Sequence, residues 1–408
     1  MKKIIAEGGR ALRGEVCVSG SKNAALPILF ATVSTYGIST VRNLPDIGDV
    51  QIALRILKDL GALVKRRGNE VRIDTRQMRY KKPCEELVSK IRASTYLIGA
   101  CLARFGICHI LPFGGCDFAS RPIDLHLLVA SLMGAEAEEC VLKAKKLTPC
   151  VIDLPKKSVG ATANALIMSA ATEGLSIIRG GASEPHVMNL VDFLRSAGAE
   201  IEIGENEITV KGRALSGGCV TVVGDMIEAG SFASFALVSG GDVLVRGVDA
   251  KELSSLCELL NFGGAEADVS ERGIRFHGRL KRELTVEAAP YPAFPTDLQP
   301  LIAPALALGS GGRIKDTVFP TRFEYLSLLS SFGIRSSVNF SYAHIYPLKR
   351  PVCASVIAPD LRAGAACVAA ALSAEGSSEI SCAEKIFRGY EDFCAKLTAL
   401  GAVIRCEG

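Results

Sequence analysis

Residues 111–126 place a thiol, two glycines, a cation and a helix start within one short stretch. Cys116 follows Gly114-Gly115, and Arg121 stands five residues after the thiol. A neighbouring cation favours the thiolate form of a cysteine, so Cys116 could act as a nucleophile or exchange a proton. The two glycines give the backbone before it wide conformational freedom, which predicts a mobile loop. Cysteines that only fill a core are common, so this interpretation needs support from other residues.

A second group of residues predicts anion binding at helix starts. Arg121-Pro122 favours a helix start, because proline suits the first turn and Asp124 suits the positive end of the helix dipole. Other helical segments rich in small residues begin near Lys22, Arg92, Ser158, Glu228, Asp297 and Arg362. Helix N-termini attract anions, and several such ends facing one cleft predict a phosphate site between two domains. Capping is the alternative for the acidic and hydroxyl residues, whereas the three basic residues oppose the dipole there.

These segments belong to an internal repeat. An amphipathic helical pattern that closes on a glycine and continues into a strand recurs six times, with closing glycines at Gly61, Gly134, Gly198, Gly264, Gly333 and Gly401. Glycine is favoured just past a helix end, where a left-handed conformation is needed. The regular recurrence indicates six related units of about the same length.

The same repeat predicts the fold class. Segments 24–31 and 363–371 have no polar face, which predicts helices buried inside each domain with sheets around them. Residues 243–246 fit the first strand after such a helix, and 208–210 fit a hairpin strand that closes a unit. Three units per domain predict an α/β protein of two similar domains, with the boundary near Gly217-Gly218.

The Gly-Gly-Cys triplet at 114–116 and the Arg-Pro-Ile-Asp-Leu-His run at 121–126 together resemble the active-site loop of the UDP-N-acetylglucosamine 1-carboxyvinyltransferases. Nearly the whole chain shares the resemblance, through motifs in the family's order at 21–27, 158–162, 292–297, 360–363 and 388–391. It implies an inside-out α/β barrel of the enolpyruvyl transferase type. Residues 22–218 would form the first domain with the Cys116 loop, residues 1–21 plus 219–408 the second, and the active site would lie in the cleft between them.

The resemblance also implies an activity. The family transfers the enolpyruvyl group of phosphoenolpyruvate to the 3'-hydroxyl of UDP-N-acetylglucosamine, releasing phosphate through a tetrahedral intermediate. This transferase step is the first committed one of peptidoglycan synthesis, so it serves cell-wall biogenesis, cell shape, the cell cycle and cell division, and fosfomycin targets it. Neither a cofactor nor a metal is implied.

Site residues follow from the resemblance position by position. Cys116 matches the proton donor and nucleophile, and Asp297 matches the base. The phosphate and carboxylate of phosphoenolpyruvate would be held by Lys22, Arg121, Arg362 and Arg388, with Arg92 near the cleft. The nucleotide sugar would be held by Asn23, Arg121, Pro122, Ile123, Asp124, Leu125, Lys156, Ser158, Val159, Gly160, Asp297, Val318 and Arg322. His126 fits either the family pattern or a structural role, whereas His109, His277 and His344 match nothing catalytic.

Composition excludes several other classes. The formal charge of +4 with no basic tract argues against nucleic-acid binding. No apolar run approaches the length of a membrane span, and the first residues turn polar too early for a signal peptide, which predicts a cytoplasmic protein. The fourteen cysteines are scattered singly, so neither a disulfide framework nor a zinc site is indicated. The sequence leaves the oligomeric state open.

Several departures from the family pattern are typical of a divergent copy. They are Phe113, Asp117, Ala119-Ser120, His186, Met226 and Thr321. Two alternatives therefore stay open beside the favoured activity. One is a 5-enolpyruvylshikimate-3-phosphate synthase-like transferase, against which the Gly-Gly-Cys loop argues. The other is a non-catalytic paralogue that binds a UDP-sugar, against which the intact catalytic positions argue.

Overall fold

The computed structural model describes residues 2–115 and 122–408, which divide into two units. The C-terminal unit comprises residues 2–19 and 224–408, and the N-terminal unit comprises residues 20–115 and 122–223. The repeat pattern places the division between 218 and 219. In the structure the strand at 219–221 pairs with the strand at 38–42, so it lies within the N-terminal unit.

The α-helices of the described residues follow in chain order. They are α1 (Lys22–Ala31), α2 (Gly48–Asp59), α3 (Glu85–Val88), α4 (Leu97–Phe105), α5 (Asp124–Leu132), α6 (Val159–Ala171), α7 (Pro185–Ser196), α8 (Met226–Ser239), α9 (Ser254–Gly263), α10 (Gln299–Leu308), α11 (Tyr325–Ser330), α12 (Leu361–Ser373) and α13 (Phe393–Ala399). Short 3₁₀ helices lie at Thr32–Ser34, Arg92–Tyr96, Ala250–Leu253, Thr296–Leu298 and Ala383–Arg388.

The strands are mostly short. They are β1 (Lys3–Glu7), β2 (Arg13–Cys17), β3 (Ile38–Arg42), β4 (Leu63–Arg67), β5 (Glu70–Asp74), β6 (Ile107–His109), β7 (Glu136–Glu138), β8 (Val141–Lys143), β9 (Val151–Asp153), β10 (Gly174–Arg179), β11 (Glu200–Ile203), β12 (Glu207–Gly212), β13 (Cys219–Thr221), β14 (Asp242–Arg246), β15 (Ala265–Ser270), β16 (Gly273–Gly278), β17 (Leu284–Ala288), β18 (Gly312–Asp316), β19 (Ser336–Asn339), β20 (Tyr342–Ile345), β21 (Ser355–Ile357), β22 (Ser377–Ser381) and β23 (Val403–Glu407).

Within the described part of the N-terminal unit, three sheets surround the inner helices α1, α4 and α6. Their strand orders are β13-β3-β5-β4, β6-β8-β7 and β11-β12-β10-β9. Helix α4 packs against both α1 and α6. Every residue of α6 from Ala161 to Ala170 is buried, as expected for a helix without a polar face.

The C-terminal unit repeats this plan around α8, α10 and α12, which all pack against one another. Its sheets have the orders β21-β22-β1-β23, β15-β16-β14-β2 and β17-β18-β20-β19. Strands β1 and β2, from the start of the chain, thus pair with strands of the C-terminal half. Helix α8 is buried from Met226 to Val238, so sheets do cover the predicted inner helices.

The structure confirms the repeat from which the fold class was predicted. All six closing glycines have positive φ, between +84° at Gly333 and +121° at Gly198. Each can therefore end its helix in a left-handed conformation that a residue with a side chain adopts only with strain. Residues 243–246 lie in β14, and 208–210 lie in β12, which forms a hairpin with β11.

Two further expectations can be compared with the structure. None of the helices in residues 2–115 and 122–408 combines the length and the apolarity needed to cross a bilayer. The thirteen cysteines in this part of the chain are all free thiols, four of them buried and four exposed.

Candidate active site

The carboxylate of Asp297 is held by two buried arginines of the C-terminal unit. Asp297 lies in the 3₁₀ turn that leads into α10. Its Oδ1 accepts a hydrogen bond from Arg322 Nη1 at 2.8 Å, and its Oδ2 accepts one from Arg362 Nη2 at 3.2 Å. The side chains of Arg322 and Arg362 are only 4% and 3% exposed, whereas that of Asp297 is 27% exposed. A partly open carboxylate on a buried cationic support can still accept a proton from a substrate.

Arg362 owes its position to the start of α12. Asp360 caps this helix, its Oδ1 accepting from the backbone N–H groups of Arg362 and Ala363 at 2.8 and 3.1 Å. Burial by itself lowers the pKa of the guanidinium, but the nearby Tyr390 and Asp297 outweigh this effect and the pKa is raised. The Nη1 atom of Arg362 is buried without a hydrogen-bond partner among the described residues. Buried donors are nearly always satisfied, so this atom is suited to an anionic ligand.

Arg322 is also held by a polar cluster around Thr296. Arg322 Nη1 also donates to the carbonyl oxygen of Thr296 at 3.1 Å, and Thr296 Oγ1 donates to Asp316 Oδ2 at 2.6 Å. The Oδ1 of Asp316 accepts from the backbone N–H groups of Val318 and Phe319. Burial raises the pKa of Asp316. The cluster therefore positions two predicted site residues, Arg322 and the exposed Val318.

Arg388 lies beside the start of α12. It ends the 3₁₀ helix Ala383–Arg388, which packs against α12. A Cβ atom on the following Gly389 would lie 2.6 Å from Leu361 Cδ2, so the backbone after Arg388 packs closely against the first residue of α12. Three of the predicted site residues, Asp297, Arg362 and Arg388, therefore come from neighbouring segments of the C-terminal unit.

In the N-terminal unit, Lys22 and Asn23 form the first turn of α1. Ser21 caps the helix, its Oγ accepting from the backbone N–H of Ala24 at 3.4 Å. The Nζ of Lys22 lies 3.7 Å from Asp49 Oδ2, and both side chains are largely buried. The cation predicted from the sequence is thus placed at a helix N-terminus with a carboxylate beside it.

The segment before Cys116 is anchored by its first glycine. A Cβ atom on Gly114 would lie 1.8 Å from the carbonyl oxygen of Ser89, so this position requires a glycine because the two backbones approach closely. Gly115 has φ +143°, which also favours glycine. Cys116 and Arg121, the residues from which the chemistry was first inferred, lie outside the described residues.

The side chain of Arg92 contacts the segment that leads into α5. Its Nη2 donates to the carbonyl oxygen of Pro122 at 3.1 Å. Arg92 begins a 3₁₀ helix, and the α-helix predicted to start there begins only at Leu97. Of the next predicted ligands, Pro122 and Asp124 are exposed, Ile123 is half-buried and Leu125 is buried.

His126 has a structural partner in α6. Asn164 Oδ1 accepts from the backbone N–H of Gly99, so its Nδ2 group donates to Thr95 and to His126 Nδ1, at 3.0 and 2.7 Å. The buried imidazole lies against the start of α6, since a Cβ on Gly160 would be 2.9 Å from His126 Nε2. His126 therefore ties α5 to the turn that carries Ser158, Val159 and Gly160.

The remaining predicted ligands lie at the same helix start or just before it. Ser158 caps α6, with its Oγ accepting from the backbone N–H of Ala161 at 3.3 Å. Ser158, Val159 and Gly160 are half-buried, whereas Lys156 is exposed in the preceding loop. The capping alternative thus holds for Ser158.

One group of described side chains could offer three ligand atoms to a metal ion. Glu266, Asp268 and His277 lie on adjacent strands, with these atoms within 4.8 Å of one another. His277 Nε2 already pairs with Asp268 at 2.9 Å and with Glu266 at 3.5 Å. His277 thus has two acidic partners on the neighbouring strand.

Sequence reasoning missed the residues that support the charged ones. Tyr390, Ser231, Thr296, Asp316 and Asn164 all touch a predicted site residue or its partner. Tyr390 and Thr296 lie inside the motifs at 388–391 and 292–297, so their position next to predicted site residues could have identified them. Ser231 and Asn164 lie in uniformly buried helices, where the sequence shows only small polar residues among apolar ones.

The fold is that of an enolpyruvyl transferase. The structure aligns with that of the enolpyruvyl transferase NikO from Streptomyces tendae with a TM-score of 0.89 at 26% identity, covering 99% of this chain and 98% of that one. An EPSP synthase from Acinetobacter baumannii shares the fold, with a TM-score of 0.71 at 18% identity over the full length of both chains.

Sequence comparison identifies the family. The model of the EPSP synthase (3-phosphoshikimate 1-carboxyvinyltransferase) family matches residues 6–397. A protein named UDP-N-acetylglucosamine 1-carboxyvinyltransferase 3, from Caldanaerobacter subterraneus subsp. tengcongensis, is 39% identical over 99% of both chains. The chain belongs to this family and, within it, to the UDP-N-acetylglucosamine 1-carboxyvinyltransferases.

Proposed function

We propose that the chain transfers the enolpyruvyl group of phosphoenolpyruvate to the 3'-hydroxyl of UDP-N-acetylglucosamine and releases phosphate. The relatives that share its full length carry the name of this activity. The observation in the structure that supports it best is the Asp297 carboxylate, held by buried Arg322 and Arg362, while Arg362 Nη1 has no hydrogen-bond partner in the part of the chain that the structure describes. This arrangement offers a proton acceptor and an anion-binding donor within one cluster.

The addition step assigns a role to each end of the site. Cys116 would deliver a proton to the methylene carbon of phosphoenolpyruvate while the sugar 3'-oxygen attacks C2 and Asp297 takes the hydroxyl proton. The resulting tetrahedral adduct carries both the sugar oxygen and the phosphate on C2. Loss of phosphate from C2 and of a proton from the new methyl group then restores the double bond, giving the enolpyruvyl ether.

Charged residues would hold the two substrates. Lys22, Arg121, Arg362 and Arg388 would bind the phosphate and carboxylate of phosphoenolpyruvate, for which arginine offers paired donors. Arg92 and the ligands predicted for the nucleotide sugar would bind UDP-N-acetylglucosamine, including the helix start at Ser158. The cleft between the domains, in which both substrates would meet, stays a prediction from the sequence.

The proposal extends to the cellular role. An enzyme with this activity would work in the cytoplasm at the start of peptidoglycan synthesis, would support cell shape and division, and would be inactivated by fosfomycin through Cys116. The 5-enolpyruvylshikimate-3-phosphate synthase reaction has less support, because the compared EPSP synthase is 18% identical and indicates the fold alone.

Product analysis tests the proposal. Purified protein incubated with phosphoenolpyruvate and UDP-N-acetylglucosamine should convert the nucleotide sugar to a species heavier by one enolpyruvyl group, and NMR should place that group on the 3'-oxygen. An unchanged nucleotide sugar after long incubation with both substrates would refute the activity.

A further inference from the structure

The aromatic ring of Tyr390 lies beside the buried guanidinium of Arg362. The Cζ of Arg362 is 5.4 Å from the ring centroid, within the range of a cation–π interaction. Tyr390 is 2% exposed and packs against Phe393, with ring centroids 5.0 Å apart. The ring is therefore fixed by its own surroundings and can limit the orientations open to Arg362.

The hydroxyl of Tyr390 is the donor in its hydrogen bond with Ser231. Ser231 Oγ donates its single proton to the carbonyl oxygen of Ile227 at 2.6 Å. The 2.6 Å contact between Ser231 Oγ and Tyr390 Oη must then be donated by the tyrosine. The lone pairs of Tyr390 Oη are left for the neighbouring guanidinium, and burial raises the pKa of this hydroxyl, so it stays protonated at neutral pH.

Two neighbours of the guanidinium, Asp297 and Tyr390, thus act together. Asp297 engages Nη2 and Nε of Arg362, at 3.2 and 3.4 Å, while Tyr390 bounds the group on another side. The Nη1 atom remains buried and unbonded among the described residues. A donor held in one orientation before a ligand arrives binds it with a smaller entropic cost than a mobile one.

We propose that Tyr390, oriented by Ser231, is a positioning residue that aims Arg362 Nη1 at an anionic group of phosphoenolpyruvate. This inference rests on the proposed function. Tyr390 does not itself touch the substrate but determines where the arginine does. If Tyr390 only filled the core, its substitution would lower stability and leave the ratio of the two substrates' KM values unchanged.

Steady-state kinetics of Tyr390→Phe separate the two roles. The variant keeps the ring and loses the oxygen, so KM for phosphoenolpyruvate should rise about fivefold, the effect of one typical hydrogen bond. KM for UDP-N-acetylglucosamine should stay within about twofold. Tyr390→Leu, which also removes the cation–π contact, should raise the phosphoenolpyruvate KM further, by at least about thirtyfold in total.

Tyr325→Phe is the matched control in the same unit. The hydroxyl of Tyr325 is buried and has no hydrogen-bond partner among the described residues, so its removal should leave both KM values unchanged. Ser231→Ala should reproduce the selective effect of Tyr390→Phe in weaker form, because Tyr390 stays but loses its acceptor. Equal changes in both KM values, or no difference between Tyr390→Phe and Tyr325→Phe, would overturn the inference.

Absence of turnover by the parent protein would count against the proposed function and not against the role of Tyr390. Calorimetry can still test that role, because it measures binding without turnover. Binding of phosphoenolpyruvate to Tyr390→Phe should then be about fivefold weaker than to the parent protein and to Tyr325→Phe. Equal affinities would refute the positioning role. Absence of any binding by the parent protein would refute both proposals.

Discussion

Arg362 Nη2 lies 3.2 Å from Asp297 Oδ2, which joins the start of α12 to the turn before α10. The two residues are 65 positions apart in the chain, yet both were singled out because they stand at helix starts. Their contact gives that pattern a chemical meaning. The carboxylate proposed as the base is held by the arginine proposed to bind the anionic substrate, so substrate binding and proton transfer share one support.

Asp297→Asn should reduce turnover by at least ~100-fold while the nucleotide sugar still binds, since the amide keeps the shape but cannot accept the proton. Turnover by phosphate release and affinity by calorimetry check the two parts separately. Asp268→Asn, on the exposed face of another sheet, is the control and should behave as the parent does. Parallel losses of binding and turnover would assign Asp297 to positioning rather than to proton transfer.

Cys116 has two separable duties, proton donation and nucleophilic attack. Cys116→Asp should retain measurable phosphate release yet resist inactivation by fosfomycin, because a carboxylic acid donates a proton but attacks an epoxide poorly. Its activity should fall as pH rises and the donor loses its proton. Cys116→Ala should lose both turnover and labelling. The exposed Cys140→Ala serves as control, and parental turnover in Cys116→Ala would remove the thiol from the mechanism.

Gly114→Ala should reduce turnover by about 100-fold, because a Cβ atom 1.8 Å from the Ser89 carbonyl oxygen must displace the segment leading to Cys116. Gly181→Ala is the comparison in the same unit, since its Cβ would meet no atom nearer than 3.4 Å. Steady-state rates and thermal unfolding of both variants check the effect. Similar rates for the two would show that the close contact at Gly114 has no bearing on catalysis.

Glu252 should make stability depend on pH. Burial, followed by Asp249 and Asp225, raises the pKa of Glu252 from 4.5 to about 7. At a pH below the pKa of Glu252 in the unfolded chain, the carboxyl group is protonated in both states and its burial carries no charge. This contribution to the stability of the folded state is lost as pH rises through about 7, because the folded state then holds a buried charge. Its Oε2 has no hydrogen-bond partner among the described residues.

Glu252→Gln should therefore raise the free energy of unfolding at pH 8 by roughly 1 kcal/mol, a value reduced for the partial exposure of the group, and leave it unchanged near pH 4. Urea unfolding at pH 4, 6 and 8 measures the difference. Glu258→Gln changes an exposed residue of α9, so its free energy of unfolding should equal that of the parent protein at each pH. A stabilisation that does not vary with pH would contradict the assignment.

The fold was predictable because its signals are local. Closing glycines such as Gly61 and Gly401 report a left-handed helix end directly, and an apolar helix such as α6 reports its own burial. The pairing of β1 with β22 and β23 was not readable from composition, since it joins the two ends of the chain. It was expected only from the resemblance.

The charged residues of the candidate site could be predicted from the sequence, but the residues that support them could not. Asp297 and Arg362 stand in recognisable motifs, whereas the pairing of Ser231 with Tyr390 joins residues 159 positions apart and depends on how α8 packs. The role of Gly114 was interpreted as flexibility, but the structure shows a close backbone contact with Ser89. Such contacts depend on three-dimensional proximity, for which a single sequence carries no signal.

Phosphate release with rival acceptors distinguishes the proposed activity from the other transferase reaction. The protein is given phosphoenolpyruvate with either UDP-N-acetylglucosamine or shikimate-3-phosphate, and Asp297→Asn is run beside it. We expect phosphate release with the UDP-sugar, little release with shikimate-3-phosphate, and at least ~100-fold less release by Asp297→Asn. Release with shikimate-3-phosphate alone would assign the chain to the other transferase reaction, and release with neither acceptor would contradict the proposed activity.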